Sequence, residues 1–473
     1  MNYRVSNAGT AALSGLTDPD LLVADCYVGG EWLAGDSMNE VIDPATGLSV
    51  HKVAQCGLDV VDLCVDHAQD AMSEWQALTP VIRGGILRKW AEQIRLNASD
   101  LAVIITVEQG KPLAESLGEV EYGGSFLDWF AAEGERAFAQ NGPSHKPGQL
   151  AFNYTQPVGI ALAVTPWNFP LAMITRKAGA ALAAGCPMIV KPAGETPLSA
   201  NALAVLAQRA GIPGGVFQVV QGDAPSLCSA LLKRTEIRAL SFTGSTRVGQ
   251  ILLDQAADTV KRCSMELGGN APFIVFKDAE LEQAVQDCMK AKFATSGQDC
   301  LAANRIYVHD SLHDAFVEKL AAEVVKLRVG HGLDDTTDIG PMTVLATSQN
   351  CARIVDAALT AGARIAAGEA PEFDGSNFIK PVLLTDVTDD MEIARAEMFA
   401  PVVSVLRFAD EAEVVRRAND TEMGLAAYIY TQSMNTALWA SNALEYGMVA
   451  VNTPSFTGPP LPFGGWKQSG LGR

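Results

Sequence analysis

From residue 58 to 139 apolar side chains recur every three or four positions, as in LDVVDLCVDHAQDAMSEW and IRGGILRKWAEQIRLNASDLAVIITVEQGKPLAES. That spacing lines them along one stripe of a helix, so surface helices laid on a sheet are expected. After the polar Pro/Gly stretch NGPSHKPGQ (141–149) the pattern changes. GIALAVTP, MIVKPAG, VFQVVQG and IRALSFTG are short apolar runs closed by Gly or Pro, and helical segments separate them. Such alternation predicts a parallel sheet with crossover helices. A second unit of the same kind follows MELGGN (265–270): APFIVF, the helix AELEQAVQDCMKAKFA, RIYVHD, the helix DAFVEKLAAEVVKL, then VVSVLRF and AAYIYT. A domain boundary is therefore expected near Leu267.

A chain of 473 residues is long for one core and fits two or three domains with room for a buried site. The net charge of −19 repels phosphate backbones and anionic lipid surfaces, so neither nucleic acid nor membrane is an expected partner. No export or organelle signal is visible in the first twenty residues, and the longest apolar runs are too short to span a bilayer. Nine scattered cysteines with no CxxC pair fit a reducing cytoplasm, most of them acting as small buried apolar residues. Among six histidines, His309 and His313 are four apart, but HDSLH reads as a strand end followed by a helix start. No metal site is expected.

Three motifs carry chemistry. SGQDC (296–300) offers a thiol, MELGGN a carboxylate, and TPWNFP (165–170) an amide donor. Covalent oxidation of an aldehyde needs these three: a nucleophile, a base for hydrolysis of the acyl intermediate, and a donor for the oxyanion. No GxGxxG occurs, yet FTGSTRVG (242–249) follows a strand-like run and opens a helix, where free backbone N–H groups favour a pyrophosphate. In these motifs, and in their order from GGEWLAG (29–35) to FGGWKQSGLGR (463–473), the chain resembles the NAD(P)-dependent aldehyde dehydrogenase superfamily. Within it, TPWNFPLAMITRKAGAAL, SMELGGNAPFIVFKDAEL and PFGGWKQSGLGR are similar to the succinate-semialdehyde dehydrogenases.

The resemblance implies an α/β fold: a Rossmann-like cofactor domain (1–136 and 157–266) and an α/β catalytic domain (267–449). It adds a small β oligomerisation arm (137–156), with which the C-terminal segment 450–473 is grouped. It implies Cys300 as nucleophile, Glu266 as base, and the Asn168 amide with the Cys300 backbone N–H as oxyanion hole, with Lys177 as a helper. For the cofactor, NADP or NAD, it implies Thr165, Pro166, Trp167, Lys191, Gly194, Glu195, Phe242, Thr243, Gly244, Ser245, Gly249, Leu267, Glu397 and Phe399. Gly194 stands where NAD-preferring relatives often carry Glu, which leaves room for a 2′-phosphate, and Arg247 and Ala400 also depart from the pattern. Arg176 is implied as the clasp for a substrate carboxylate, with Phe456 beside the substrate. The group's second arginine is replaced by Ala294 and its redox cysteine by Ala302. Phe126, Trp129, Phe130 and Phe293 are further candidates for the entrance. Asp299 is expected to turn away from the sulfur, because adjacent side chains usually point apart. The implied reaction oxidises succinate semialdehyde or a related oxo acid in a homodimer or homotetramer. Aminoaldehyde, aromatic-aldehyde and CoA-acylating activities stand as alternatives.

Overall fold

The computed structural model describes residues 7–137 and 139–473. Residues 1–6 and Phe138, which the expected ranges include, lie outside the described residues. Two large sheets organise the chain. The first runs in the order Glu31–Leu33, Cys26–Val28, Phe217–Val219, Met188–Lys191, Ile160–Val164, Ile237–Thr243, Arg262–Glu266, Gly470–Leu471. Its five central strands are parallel and its edges are antiparallel. Alternate residues of a strand point to opposite faces. Ala161 and Ala163 accordingly join one core while Ile160 and Leu162 join another. Both faces are covered by helices, which is why these strands read as unbroken apolar runs.

Strand order creates the crevice. From Ile160–Val164 the chain crosses to Met188–Lys191 and Phe217–Val219 on one side. It then returns to the other side of Ile160–Val164 for Ile237–Thr243 and Arg262–Glu266. Where the winding reverses, the carboxyl ends of Ile160–Val164 and Ile237–Thr243 diverge and leave a cleft suited to a ligand.

The second sheet has the order Arg364–Gly368, Val382–Thr385, Val402–Phe408, Ala303–His309, Ala271–Val275, Ala426–Tyr430, Met448–Val451. It is parallel except at Arg364–Gly368. Two hairpins are added, Ser37–Asp43 with Leu48–Gln55 and Gln140–Pro143 with Leu150–Asn153. On and just after the second, Leu150, Phe152 and Tyr154 are 66–70% exposed.

The C-terminal segment adds two short strands. Gly470–Leu471 pairs with Met265 and Glu266 in the first sheet, and Trp466–Lys467 pairs with Met423–Gly424. Between them the Ser469 carbonyl accepts from Leu267 N at 2.9 Å. Its hydroxyl donates to Gly268 O at 2.6 Å and accepts from Gly424 N at 2.8 Å. An uncovered strand edge leaves backbone groups unpaired, and this segment satisfies the edge of Arg262–Glu266 while tying the two sheets together. No helix of the described residues is long and apolar enough to cross a membrane.

Candidate active site

The cleft deepens into a cavity of about 560 Å³ between the two sheets. Turns after three parallel strands form one wall: Pro166–Asn168, Thr243–Ser245 and Glu266–Gly268. Opposite stand Cys300 and the Glu397–Phe399 loop. Of the residues implied by resemblance, the cavity gathers Cys300, Glu266, Asn168, Arg176, Pro166, Trp167, Thr243, Gly244, Ser245, Leu267, Glu397 and Phe399.

The thiol is delivered by a contorted turn. Thr295, Ser296 and Gly297 have φ of 51°, 58° and 78°, a left-handed conformation that costs energy for the first two and persists only when neighbours enforce it. Glu115 Oε2 accepts from Thr295 N at 2.9 Å, and Ser296 Oγ donates to Gly340 O at 3.2 Å. Gln298 Nε2 donates to Thr295 O and Pro341 O, each at 3.3 Å, while its Oε1 accepts from Thr343 N at 2.9 Å. At Gly297 a side chain would collide with the Ala400 carbonyl.

Burial pushes the Cys300 thiol well above its ordinary range, and the carboxylates of Asp299, Glu397 and Glu266 push it further, against a smaller opposing effect of Arg176. The expectation that Asp299 turns away is therefore corrected. Its carboxyl lines the same cavity and lies against the thiol. The left-handed turn upstream and the bond from Leu301 N to Asp299 Oδ1 (3.0 Å) set this direction, overriding the usual alternation.

Glu266 is 9% exposed and its Oε2 has no partner. Burial lifts its carboxyl to about 7, with Lys177, Arg176 and Arg473 restraining the rise. A carboxylate poised near neutrality suits a general base. Lys177 stays behind the wall, donating to Ser241 Oγ at 3.1 Å and Thr243 Oγ1 at 2.8 Å. Burial lowers its ammonium to about 8, so it reaches Glu266 through its field. Asn168 Nδ2 donates to Gln298 O at 3.0 Å, which ties it to the nucleophile loop. An amide nitrogen carries two hydrogens, so one remains for an oxyanion.

Sequence reasoning missed what braces Asn168. Lys111 and Glu119 form an ion pair at 2.7 Å with both side chains fully buried. Lys111 Nζ also donates to Asn168 O at 2.6 Å and sits 4.0 Å above the Phe169 ring. Glu119 Oε1 accepts from Leu171 N at 2.9 Å and Ala172 N at 3.1 Å, capping the helix Ala172–Ala183. The pair clamps both ends of the turn that carries the amide. In sequence these charges look like any polar face of a helix; only their burial distinguishes them. Lys111→Met, which strands the Glu119 charge, is expected to cost about 3–5 kcal/mol in denaturant unfolding, with a lower kcat in the folded fraction.

Arg176 Nη2 donates to the Tyr122 hydroxyl at 2.6 Å, and its guanidinium packs 4.4 Å from Phe463 and 4.6 Å from Phe126. Its Nη1 is buried without a partner. Phe456 packs edge-on against Tyr428 at 5.2 Å and is not among the residues that line the cavity. Thr457 and Phe463 line the cavity there, and Tyr122 and Phe169 are further aromatic liners that the sequence did not single out. Trp129, Phe130 and Phe293 lie away from it, and Phe126 acts only from behind Arg176.

The residues implied for the nucleotide divide into those that face the cleft and those that shape it. Ser245 caps the helix Thr246–Ala257 by accepting from Val248 N at 3.4 Å, at a helix start suited to a phosphate. Phe242 is buried in the core beneath, where a Cβ at Gly244 would stand 2.6 Å from its ring. Gly249 permits the close approach of Leu267. Both Phe242 and Gly249 thus hold the turn and do not face the cleft. Lys191 is buried and donates to Pro192 O at 2.7 Å. Gly194 and Glu195 are exposed, with nothing within 4 Å of a Cβ at Gly194. Thr165 Oγ1 is buried and unpartnered. Glu397 Oε1 accepts from Gly269 N at 3.0 Å, and burial raises its carboxyl to about 7. The Phe399 ring meets Trp167 edge-on at 5.7 Å. A capped helix start, an orphaned hydroxyl and open space at Gly194 fit a dinucleotide with or without a 2′-phosphate. Among the described residues no cluster of ligating side chains fits a metal ion.

The aldehyde dehydrogenase family matches residues 32–473. The chain is similar to a non-phosphorylating aspartate-semialdehyde dehydrogenase of Halomonas elongata, 52% identical over 97% of this chain and 93% of that one. It is 45% identical to the NADP(+) succinate-semialdehyde dehydrogenase of Escherichia coli K12, over 97% and 95% of the two chains. The crystal structure of an aldehyde dehydrogenase from Brucella melitensis biovar abortus 2308 matches with a TM-score of 0.95 at 48% identity, over 97% and 95%. A thiol, a carboxylate and an amide around one cavity, together with these matches, place the chain in the aldehyde dehydrogenase family. Its chemistry is that of an NAD(P)-dependent oxidoreductase.

Proposed function

We propose that the protein oxidises a small aldehyde bearing a distal carboxylate, succinate semialdehyde or a related oxo acid, to the carboxylic acid. Cys300 passes its proton to one of the carboxylates that share the cavity, and its sulfur attacks the aldehyde carbon. The resulting oxyanion is held by the Asn168 amide and the Cys300 backbone N–H. Bound nicotinamide supplies the hydride acceptor. Cys300 then carries the acyl group as a thioester, and Glu266 takes a proton from the water that releases the acid. Gly244 and Ser245 would hold the pyrophosphate, Lys191 the adenosine ribose, and Glu397 the nicotinamide ribose. The open position at Gly194 supports NADP as well as NAD.

The observation that carries the substrate class is Arg176, which lines the same cavity as the thiol and has a buried Nη1 without a partner. A guanidinium with an unused donor at the wall of a cavity favours an anionic tail over an aromatic one. Glu266, also in the cavity, favours water over CoA as acyl acceptor. For Arg176→Ala, kcat/KM for succinate semialdehyde is expected to fall about 10- to 100-fold, the worth of a charge-assisted bond, while butanal changes little. Equal losses on both would remove the carboxylate clasp. The exposed Leu150, Phe152 and Tyr154 support pairing of the hairpin with a second copy, in a dimer or tetramer. Nine unpaired cysteines support a reducing cytoplasm.

A further inference from the structure

Arg176 is fixed in place by groups that leave its charge unneutralised. Its guanidinium lies over the rings of Phe126 at 4.6 Å and Phe463 at 4.4 Å. Aromatic faces attract a cation but take no strong hydrogen bond from its edge. Nη2 donates to the Tyr122 hydroxyl at 2.6 Å. Among the described residues Arg176 forms no salt bridge, and its Nη1 is buried with no partner. Tyr122 is fixed in turn. It stands one turn before Phe126 on the helix Leu113–Arg136, and the two rings meet edge-on at 4.8 Å.

A substrate carboxylate brings two oxygens, and each needs a donor once water is excluded. Arg176 Nη1 can serve one of them. Nη2 is already engaged, and the methyl group of Ala294, which also lines the cavity, offers no donor. The Tyr122 hydroxyl is different. Its oxygen accepts from Arg176, so its own hydrogen is still to be placed, and the residue lines the same cavity. Burial raises the pKa of this hydroxyl, which keeps the hydrogen on it, while Arg176 and Thr457 polarise the oxygen. A hydroxyl drawn on by a cation in this way makes a stronger bond to an anion.

We propose that Tyr122 is the second carboxylate contact: one substrate oxygen takes Arg176 Nη1 and the other takes the Tyr122 hydroxyl. This rests on the assignment of Arg176 above and adds a specificity residue to it. The bond between the two side chains holds their free donors at a set spacing. Such a contact is made by the bound substrate and by the transition state alike, so its loss weakens binding and leaves the chemical step in place.

The test uses Tyr122→Phe, which removes the hydroxyl and keeps the ring that packs on Phe126, so the fold should hold and an unchanged Tm verifies it. With the full chain and either nicotinamide cofactor, 4-oxobutanoate is compared with butanal, which has no carboxylate. The ratio of their kcat/KM values is expected to fall by about 10-fold or more, as for a hydrogen bond to a charged group, with the loss carried by KM. Binding is read separately with 4-hydroxybutanoate, which keeps the carboxylate but has an alcohol in place of the aldehyde. Its inhibition constant is expected to rise by about 10-fold in the variant, and that of the uncharged butane-1,4-diol to move far less. A ratio that holds between wild type and variant overturns the proposal, as does a loss confined to kcat or an equal weakening of both inhibitors. Arg176→Ala separates the two levels of the reading. If that variant loses 4-oxobutanoate and butanal alike, the carboxylate clasp itself fails. If it separates them and Tyr122→Phe does not, only the role of Tyr122 fails.

Discussion

Cys300→Ala is expected to lower aldehyde oxidation by about 10⁴-fold or more, measured as reduced nicotinamide formed per enzyme at saturating aldehyde. Every later step needs the acyl group held on that sulfur, so no partial route remains inside the cavity. The loss should come without unfolding, because the left-handed turn is fastened by Glu115, Ser296 and Gln298 and not by the thiol. Alkylation alone would mislead, since Cys56 and Cys263 are also partly accessible. Comparable activity in Cys300→Ala would mean that a different group attacks the aldehyde, and the assignment of the site would fall with it.

Glu266→Gln is expected to reduce steady-state turnover about 10²- to 10⁴-fold while leaving one rapid turnover per site. Acylation ends with reduced nicotinamide, whereas only hydrolysis of the thioester calls on the base. Rapid mixing should therefore show a burst equal to the enzyme concentration followed by a slow phase, and acyl-enzyme should be visible by intact mass. The pH dependence follows from the buried carboxyl. Its folded value lies near 7 where an exposed glutamate lies near 4.5, so it is protonated below neutrality and becomes a base only as pH rises through about 7. Wild-type deacylation should therefore fall between pH 8 and 6, and the glutamine variant should lose that step. Full turnover in the variant, with no burst, would show that another group activates the water.

Much of the architecture was legible in short stretches. GIALAVTP, MIVKPAG, VFQVVQG and IRALSFTG correspond to Ile160–Val164, Met188–Lys191, Phe217–Val219 and Ile237–Thr243, all strands of one sheet. Continuous apolar runs cut by Gly or Pro identify such strands because both faces are covered and the turns need those residues. The C-terminal segment was not legible in this way. Its strands are two residues long, too short for any periodicity, and they form only because the edge of Arg262–Glu266 stands ready to pair.

Within the site, short motifs and the family they resemble were enough to single out a thiol, a carboxylate, an amide and a helix start that the fold brings to one cavity, because each is a local combination of residue type and turn. What it left open were properties that depend on what lies across the fold. Asp299 faces the sulfur because of a distant-held turn, Lys111 and Glu119 are buried against a loop some fifty residues on, and Phe463 lines the cavity beside Arg176. Residue identity and local spacing determine which element forms and which chemistry is available. Burial, and with it the pKa of Glu266 and the free edge of Arg176, is decided only when segments far apart in the chain exclude water from the same space.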